Sequence, residues 1–374
     1  MTSEVQPFTI HARLPNQVVS KKILHLIGQL GRGGAERQMI SVCVELQKRG
    51  WDQSIATFDP GRAWDEKISE AGIGLLKLPR HPVPAVRLWR LHQLVRRERP
   101  QLIHSWSLHT NVYASYLPFN KSRLVLSFRE NPTIDTVEGT PRRLRHAWIY
   151  HSAGWVLSNS RKALADAHQL GILPKRESVV GNIVNLPSAK PKARPTNNCV
   201  VAVGSLKPLK GHRDLLDALA ILARDKTRCT LLLAGDGPQR SQLQELAARL
   251  NIEKKVSFLG EIEDVASLMG SGNILVHPSY SEGLSNSILE GMAAGLAIVA
   301  TSVGATPEFI EDGKTGFLVP PGRPRLLAEK IRVLLTEPEL RFRLGQAAMK
   351  KVRAMCNPEH VMHQYEQVYN ALLT

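Results

Sequence analysis

Short apolar runs alternate with amphipathic helical stretches along most of the chain, and the alternation stops once and then restarts. Strand-like runs fall at residues 22–27, 53–58, 102–105, 124–128 and 156–159, with helical segments between most of them. The stretch 35–49 reads as a helix, with Ala35, Met39, Val42, Cys43 and Leu46 on one face and Gly50 as its stop. Apolar runs this short, separated by helices, predict parallel strands buried on both faces. The segment 186–198 holds three prolines and three basic residues and cannot pack as a core element. Beyond it, strand-like runs resume at 199–203, 230–234, 256–259, 274–277, 297–300 and 316–319. With 374 residues, the expectation is two α/β domains in tandem, each a doubly wound, Rossmann-like sheet. The expected division is a tail at 1–20, a first domain at 21–186, a linker at 187–198 and a second domain at 199–357. A terminal helix at 358–374 is expected to cross back onto the first domain.

The charge is one-sided. Residues 1–190 carry 27 Lys and Arg against 14 Asp and Glu, whereas the remainder carries 22 against 19. A basic first half suits an anionic partner such as a pyrophosphate or a lipid headgroup, and equally a basic solvated surface. No basic motif interleaved with aromatic residues points to nucleic acid. The four cysteines form no CxxC pair and read as core thiols of a reducing compartment. The N-terminus lacks a signal-peptide pattern, and the longest mostly apolar stretch, 288–300, is too short to span a bilayer. A cytoplasmic protein, or one held on the inner face of the cell membrane, is expected.

Glycine-rich turns recur where strands end. Gly31-Arg32-Gly33-Gly34-Ala35-Glu36-Arg37 follows the first strand, with glycines that let backbone N–H groups approach a phosphate. It is not a dinucleotide fingerprint, because Glu36 stands where the third glycine is needed. Gly204-Ser205, followed by Lys210, comes after the first strand of the second half, and Gly235-Asp236-Gly237-Pro238 follows the next strand. Each turn alone is equally a structural strand-to-helix connection. Their shared position, at the C-terminal ends of strands, is where open α/β sheets bind ligands. The most telling segment is Ser281-Glu282-Gly283-Leu284-Ser285-Asn286-Ser287-Ile288-Leu289-Glu290, with two carboxylates flanking a capped helix start that attracts phosphate. Carboxylates beside such an anion site suit the hydroxyls and phosphates of a sugar nucleotide.

The text VGSL…KGH, LLLAGDGP, VSFLGEIEDV and HPSYSEGLSNSILEGMAAGLAIVATSVGATPEFIEDGKTGFLVPPG resembles the donor domain of retaining glycosyltransferases of family 4, which have the GT-B fold. GGAER, HSWSLHTN and GNIVN extend the resemblance more loosely through the first half. The resemblance implies a retaining transfer from a nucleotide-sugar donor to a saccharide or lipid-linked acceptor, without a metal or other cofactor. It implies that Glu282 contacts the transferred sugar, Glu290 the ribose and Lys210 the leaving diphosphate. Backbone at Leu284, Ser285 and Asn286, and the turns at Gly204, Ser205, Gly235 and Gly260, would face the donor. Gly33, Gly34, Glu36 and Arg129 would face the diphosphate or acceptor, and His104 would lie near the reacting centre. The chain departs from the family pattern at Ser205, where arginine is usual, with Lys207 or Arg213 as substitutes. It departs also at Ile183, in place of a glycine, and at Trp106, in place of a second histidine. His104 as a core histidine and Arg129 as an ion-pair partner of Glu130 or Glu36 are the structural alternatives. A sugar-nucleotide epimerase on the same architecture and a non-catalytic partner subunit are the rival functions.

Overall fold

The computed structural model describes residues 21–59, 61, 63–129, 140–184 and 198–374, with no side-chain detail for 140–143. The expected tail at 1–20, nearly all of the expected linker, Asn185 and Glu130 lie outside the described residues.

Among the described residues, seven strands form the first sheet: β1 (Lys22–Gln29), β2 (Asp52–Asp59), β3 (Gly74–Lys77), β4 (Leu102–Ser105), β5 (Leu124–Phe128), β6 (Trp155–Ser158) and β7 (Glu177–Val179). Their order is β3-β2-β1-β4-β5-β6-β7, and every pairing is parallel. Six more form the second sheet: β8 (Cys199–Val203), β9 (Thr230–Ala234), β10 (Val256–Gly260), β11 (Ile274–His277), β12 (Ala297–Thr301) and β13 (Phe317–Val319). These run β10-β9-β8-β11-β12-β13, again all parallel. In both sheets the order reverses beside the first strand, which opens a crevice at the strand C-termini. Central strands such as β5, β11 and β12 are buried along their whole length, as parallel strands covered on both faces must be. Edge strands β3 and β7 are only partly buried and were not distinguishable in the sequence, because neither carries a continuous apolar run.

The first helix, Gly34–Lys48, buries Met39, Val42, Cys43 and Leu46 against the first sheet. Its end is fixed by Gly50 at φ 77, where the chain turns so that Trp51 N donates to Leu46 O at 3.1 Å. All four cysteines are buried. Among the described residues no helix is long and apolar enough to cross a membrane.

The chain ends by crossing between the domains. Helix Pro338–Cys356 buries Ala348, Val352 and Cys356 in the second domain. Asn357 then caps helix Pro358–Leu373 through the His360 amide at 2.8 Å. This last helix buries Val361, Met362, Tyr365, Val368, Tyr369 and Leu372 in the core of the first domain. Each such apolar side chain contributes about 1.5–3 kcal/mol on burial, so the helix is part of the first domain's core. Met362 is 0% exposed, and Met362→Ala is expected to lower the unfolding free energy by about 2–5 kcal/mol. Urea denaturation followed by tryptophan fluorescence checks this, and a loss under about 1 kcal/mol would contradict an integral helix.

Candidate active site

A cleft of about 700 Å³ lies between the two sheets, lined by the strand ends of both domains. Gly204, Ser205, Lys210, Gly235, Glu282, Leu284, Ser285 and Asn286 face it from the second domain, and Gly33, Gly34, Glu36 and Arg129 from the first.

Glu282 follows β11 and is 9% exposed. Its Oε1 accepts from three groups: the Lys210 ammonium, His277 Nε2 at 2.8 Å and Ser279 Oγ at 3.0 Å. Burial pushes the carboxyl pKa up, but the His277 and Lys210 interactions outweigh it and hold the pKa down to about 2. Lys210 is placed by a short 3₁₀ turn, Pro208–Lys210, that ends at Gly211 with φ 65. A Cβ at Gly211 would stand 2.0 Å from Pro278 O, so only glycine lets this turn close onto the end of β11. Ser285 caps helix Asn286–Ala293 by accepting from the Ile288 amide, leaving the first N–H groups of the helix at the cleft.

The first-domain wall begins at Gly33. The Glu36 carboxylate folds back over it, 2.2 Å from where a Cβ would stand, and also accepts from Gln29 Nε2 at 3.4 Å. Polar contacts bridge the domains at this point. Asn286 Nδ2 donates to Gly34 O at 3.2 Å, and Asn286 Oδ1 accepts from Gln38 at 3.1 Å and from Asn182 at 2.7 Å. Arg37 pairs with Glu290 at 2.6 Å. Burial still raises the Glu290 carboxyl pKa against that pairing, and its Oε2 is buried without a partner.

Several expectations require correction. His104 does not line the cleft: it is 0% exposed in β4, with Nδ1 2.7 Å from the Tyr369 hydroxyl and Nε2 2.7 Å from Ser127 Oγ. Burial holds its pKa well below that of a free histidine, which makes it a core group rather than a proton carrier at the reacting centre. Gly260 is not a lining residue; it ends β10 and accepts from Gly235 N at 2.7 Å, supporting the turn that does line the cleft. Lys207 and Arg213 are exposed and are not among the residues lining the cleft. Arg129 has no ion pair with Glu36; it donates to Asn182 and Tyr365. Glu290, which the resemblance assigns to the ribose, is paired with Arg37.

The sequence reading missed His277, Ser279, Gln38 and Asn182. His277 ends its strand as the other site residues do, and that position was the available signal. Gln38 directly follows the GGAER turn and Asn182 lies in GNIVN, but both acquire meaning only across the domain boundary.

Two parallel, Rossmann-like sheets facing one cleft are the GT-B architecture. Residues 187–351 match Glycosyl transferases group 1, and residues 32–187 match Glycosyltransferase Family 4. The chain belongs to these family-4 glycosyltransferases. It is 26% identical over 349 residues to the lipopolysaccharide core biosynthesis glycosyltransferase LpsE of Rhizobium meliloti, covering 90% of this chain and 95% of that one. Over 174 residues it is 31% identical to the N-acetyl-alpha-D-glucosaminyl L-malate synthase of Bacillus anthracis, covering 46% and 45% of the two chains. The fold is similar to that of Anabaena HepE solved with UDP-glucose, with a TM-score of 0.83, 23% identity, and 94% and 99% of the chains covered.

The pKa of Glu282 makes a prediction with a defined sign. A carboxyl whose pKa is lower when folded contributes stability above its unfolded value of 4.5, and loses it as pH falls through about 2. The stability gap between wild type and Glu282→Gln should therefore be constant above pH 4.5 and narrow at lower pH. Urea midpoints from pH 3 to 7 measure it; a gap independent of pH would overturn the ion cluster.

Proposed function

We propose that the cleft transfers a sugar, with retention of configuration, from a nucleoside-diphosphate donor on the second domain to an acceptor hydroxyl presented by the first. The observation that carries this reading is the Lys210–Glu282–His277 cluster beside the exposed start of helix Asn286–Ala293. The ionised Glu282 accepts hydrogen bonds from sugar hydroxyls. The helix start and Lys210 meet the diphosphate, whose charge grows as the sugar leaves. Lys210, Arg32, Arg37 and Arg129 line the cleft and bring positive charge to it, which supports a transfer without a metal. LpsE is named for lipopolysaccharide core biosynthesis, which supports a lipid-linked saccharide as acceptor and cell-surface polysaccharide assembly as the setting.

Lys210→Ala and Glu282→Gln should each reduce transfer by about 100-fold or more while the circular dichroism spectrum is retained. Radiolabel transfer from UDP-, GDP- and ADP-sugars, chosen by a thermal-shift screen, measures this. Near-normal turnover in either variant would remove the site assignment.

We infer further that the first domain docks on an anionic membrane. Residues 77–99 hold seven Lys and Arg and one Glu. Within them, helix Pro84–Glu98 exposes Trp89 by 61% beside Arg90 and Arg97. Tryptophan among arginines suits the interfacial zone of a bilayer. Flotation with anionic liposomes at low salt should carry the protein upward, and Trp89→Ala should weaken this; no flotation of the wild type would sink the membrane assignment.

A further inference from the structure

Charge is divided unevenly between the walls of the cleft. Among the described lining residues, the second domain offers Lys210 against Asp236, Glu261 and Glu282, whereas the first offers Arg32, Arg37 and Arg129 against Glu36. A donor diphosphate adds negative charge to the second-domain wall, which is already acidic. Its one lysine is shared with Glu282. Lys210 and the helix start meet part of this charge, and further neutralisation comes from across the cleft.

Two of the three arginines are already paired. Arg32 meets Glu263 at 3.2 Å and Glu261 at 3.6 Å, and Arg37 meets Glu290. Arg129 has no ion pair with a carboxylate among the described residues. It donates from Nη1 to Asn182 Oδ1 at 3.0 Å and from Nη2 to the neutral Tyr365 hydroxyl. Its guanidinium lies 4.6 Å from the centroid of the Trp106 ring, and its Nε is buried without a partner. Contacts with neutral groups fix the orientation of the guanidinium and leave its charge uncancelled. Asn182 in turn donates to Asn286, the first residue of the phosphate-attracting helix. Two hydrogen bonds thus join Arg129 to the helix start across the domain boundary.

We propose that Arg129 binds the leaving diphosphate and supplies, from the first domain, the second positive charge that Ser205 does not supply from the second. The inference rests on the glycosyl-transfer reading. In that reaction the bond between sugar C1 and the phosphate oxygen breaks, and its electron pair stays on that oxygen. The acceptor hydroxyl oxygen forms the new bond to C1, and its proton passes to the departing phosphate. Arg129 stabilises the negative charge that accumulates before the proton arrives. The indole face of Trp106 supports this guanidinium.

Calorimetric titration with UDP, GDP and ADP, and with uridine, guanosine and adenosine, tests the assignment. Arg129→Gln should weaken the diphosphate bound by wild type roughly tenfold or more and leave the parent nucleoside unaffected. It should lower kcat more than it raises the acceptor KM. Arg129→Lys, which keeps a cation at this position, should retain part of the affinity and serves if the glutamine variant does not fold. Ser205→Arg, placed in Arg129→Gln, should restore part of what is lost. Equal diphosphate affinity in wild type and Arg129→Gln overturns the proposal. If that result comes with a raised acceptor KM, Arg129 belongs to the acceptor. Failure of the wild type to bind any of the three diphosphates would instead remove the glycosyl-transfer reading itself.

Discussion

Burying a carboxylate is costly unless charge and hydrogen bonds meet it, and the site is organised around that constraint at Glu282. Three elements are drawn together to satisfy one oxygen. The turn after β8 brings Lys210, the end of β11 brings His277, and the following turn brings Ser279. Gly211 permits the first of these to approach the second. The result is an ionised group held rigidly at the cleft, where it can accept hydrogen bonds without taking up a proton. Such preorganisation is what electrostatic stabilisation of a reacting centre demands.

The second constraint acts between domains. Backbone groups at helix starts, left without intrahelical partners, are satisfied partly from across the cleft. The Glu308 carboxylate, from the second domain, accepts from the Arg161 and Lys162 amides at the start of helix Arg161–Gln169 in the first. The Asn286 side-chain amide joins Gly34, Gln38 and Asn182 of the first domain. Together with Arg37–Glu290 and the crossing of the terminal helix, these contacts set how the two walls face each other. The second-domain carboxylates and the first-domain arginines are therefore parts of one electrostatic unit.

Most of the fold was legible because parallel strands buried on both faces leave a plain apolar signature. β4, β5, β8, β9 and β11 fall on the expected residues. The edge strands β3 and β7 were not legible, since half-burial removes that signature. Much of the cleft was also legible: Glu282, Lys210 and the glycine turns sit at strand ends, which a sequence marks by punctuation. His104 misled because a polar residue at a strand end looks the same in sequence whether it faces a cleft or a core. Its neighbours Tyr369 and Ser127, distant in the chain, decide the matter.

The sequence by itself determined two parallel α/β sheets, a basic first half and a second-half turn able to hold phosphate, because periodicity, composition and local backbone chemistry are properties of neighbouring residues. Tertiary structure decided which charges meet. Arg37 neutralises Glu290, and Arg129 is stacked on Trp106 with its charge uncancelled among the described residues. Lys207 and Arg213, though close in sequence to the turn after β8, are exposed and are not among the residues lining the cleft. Electrostatic pairing depends on separation in space and on desolvation, and neither is encoded by distance along the chain.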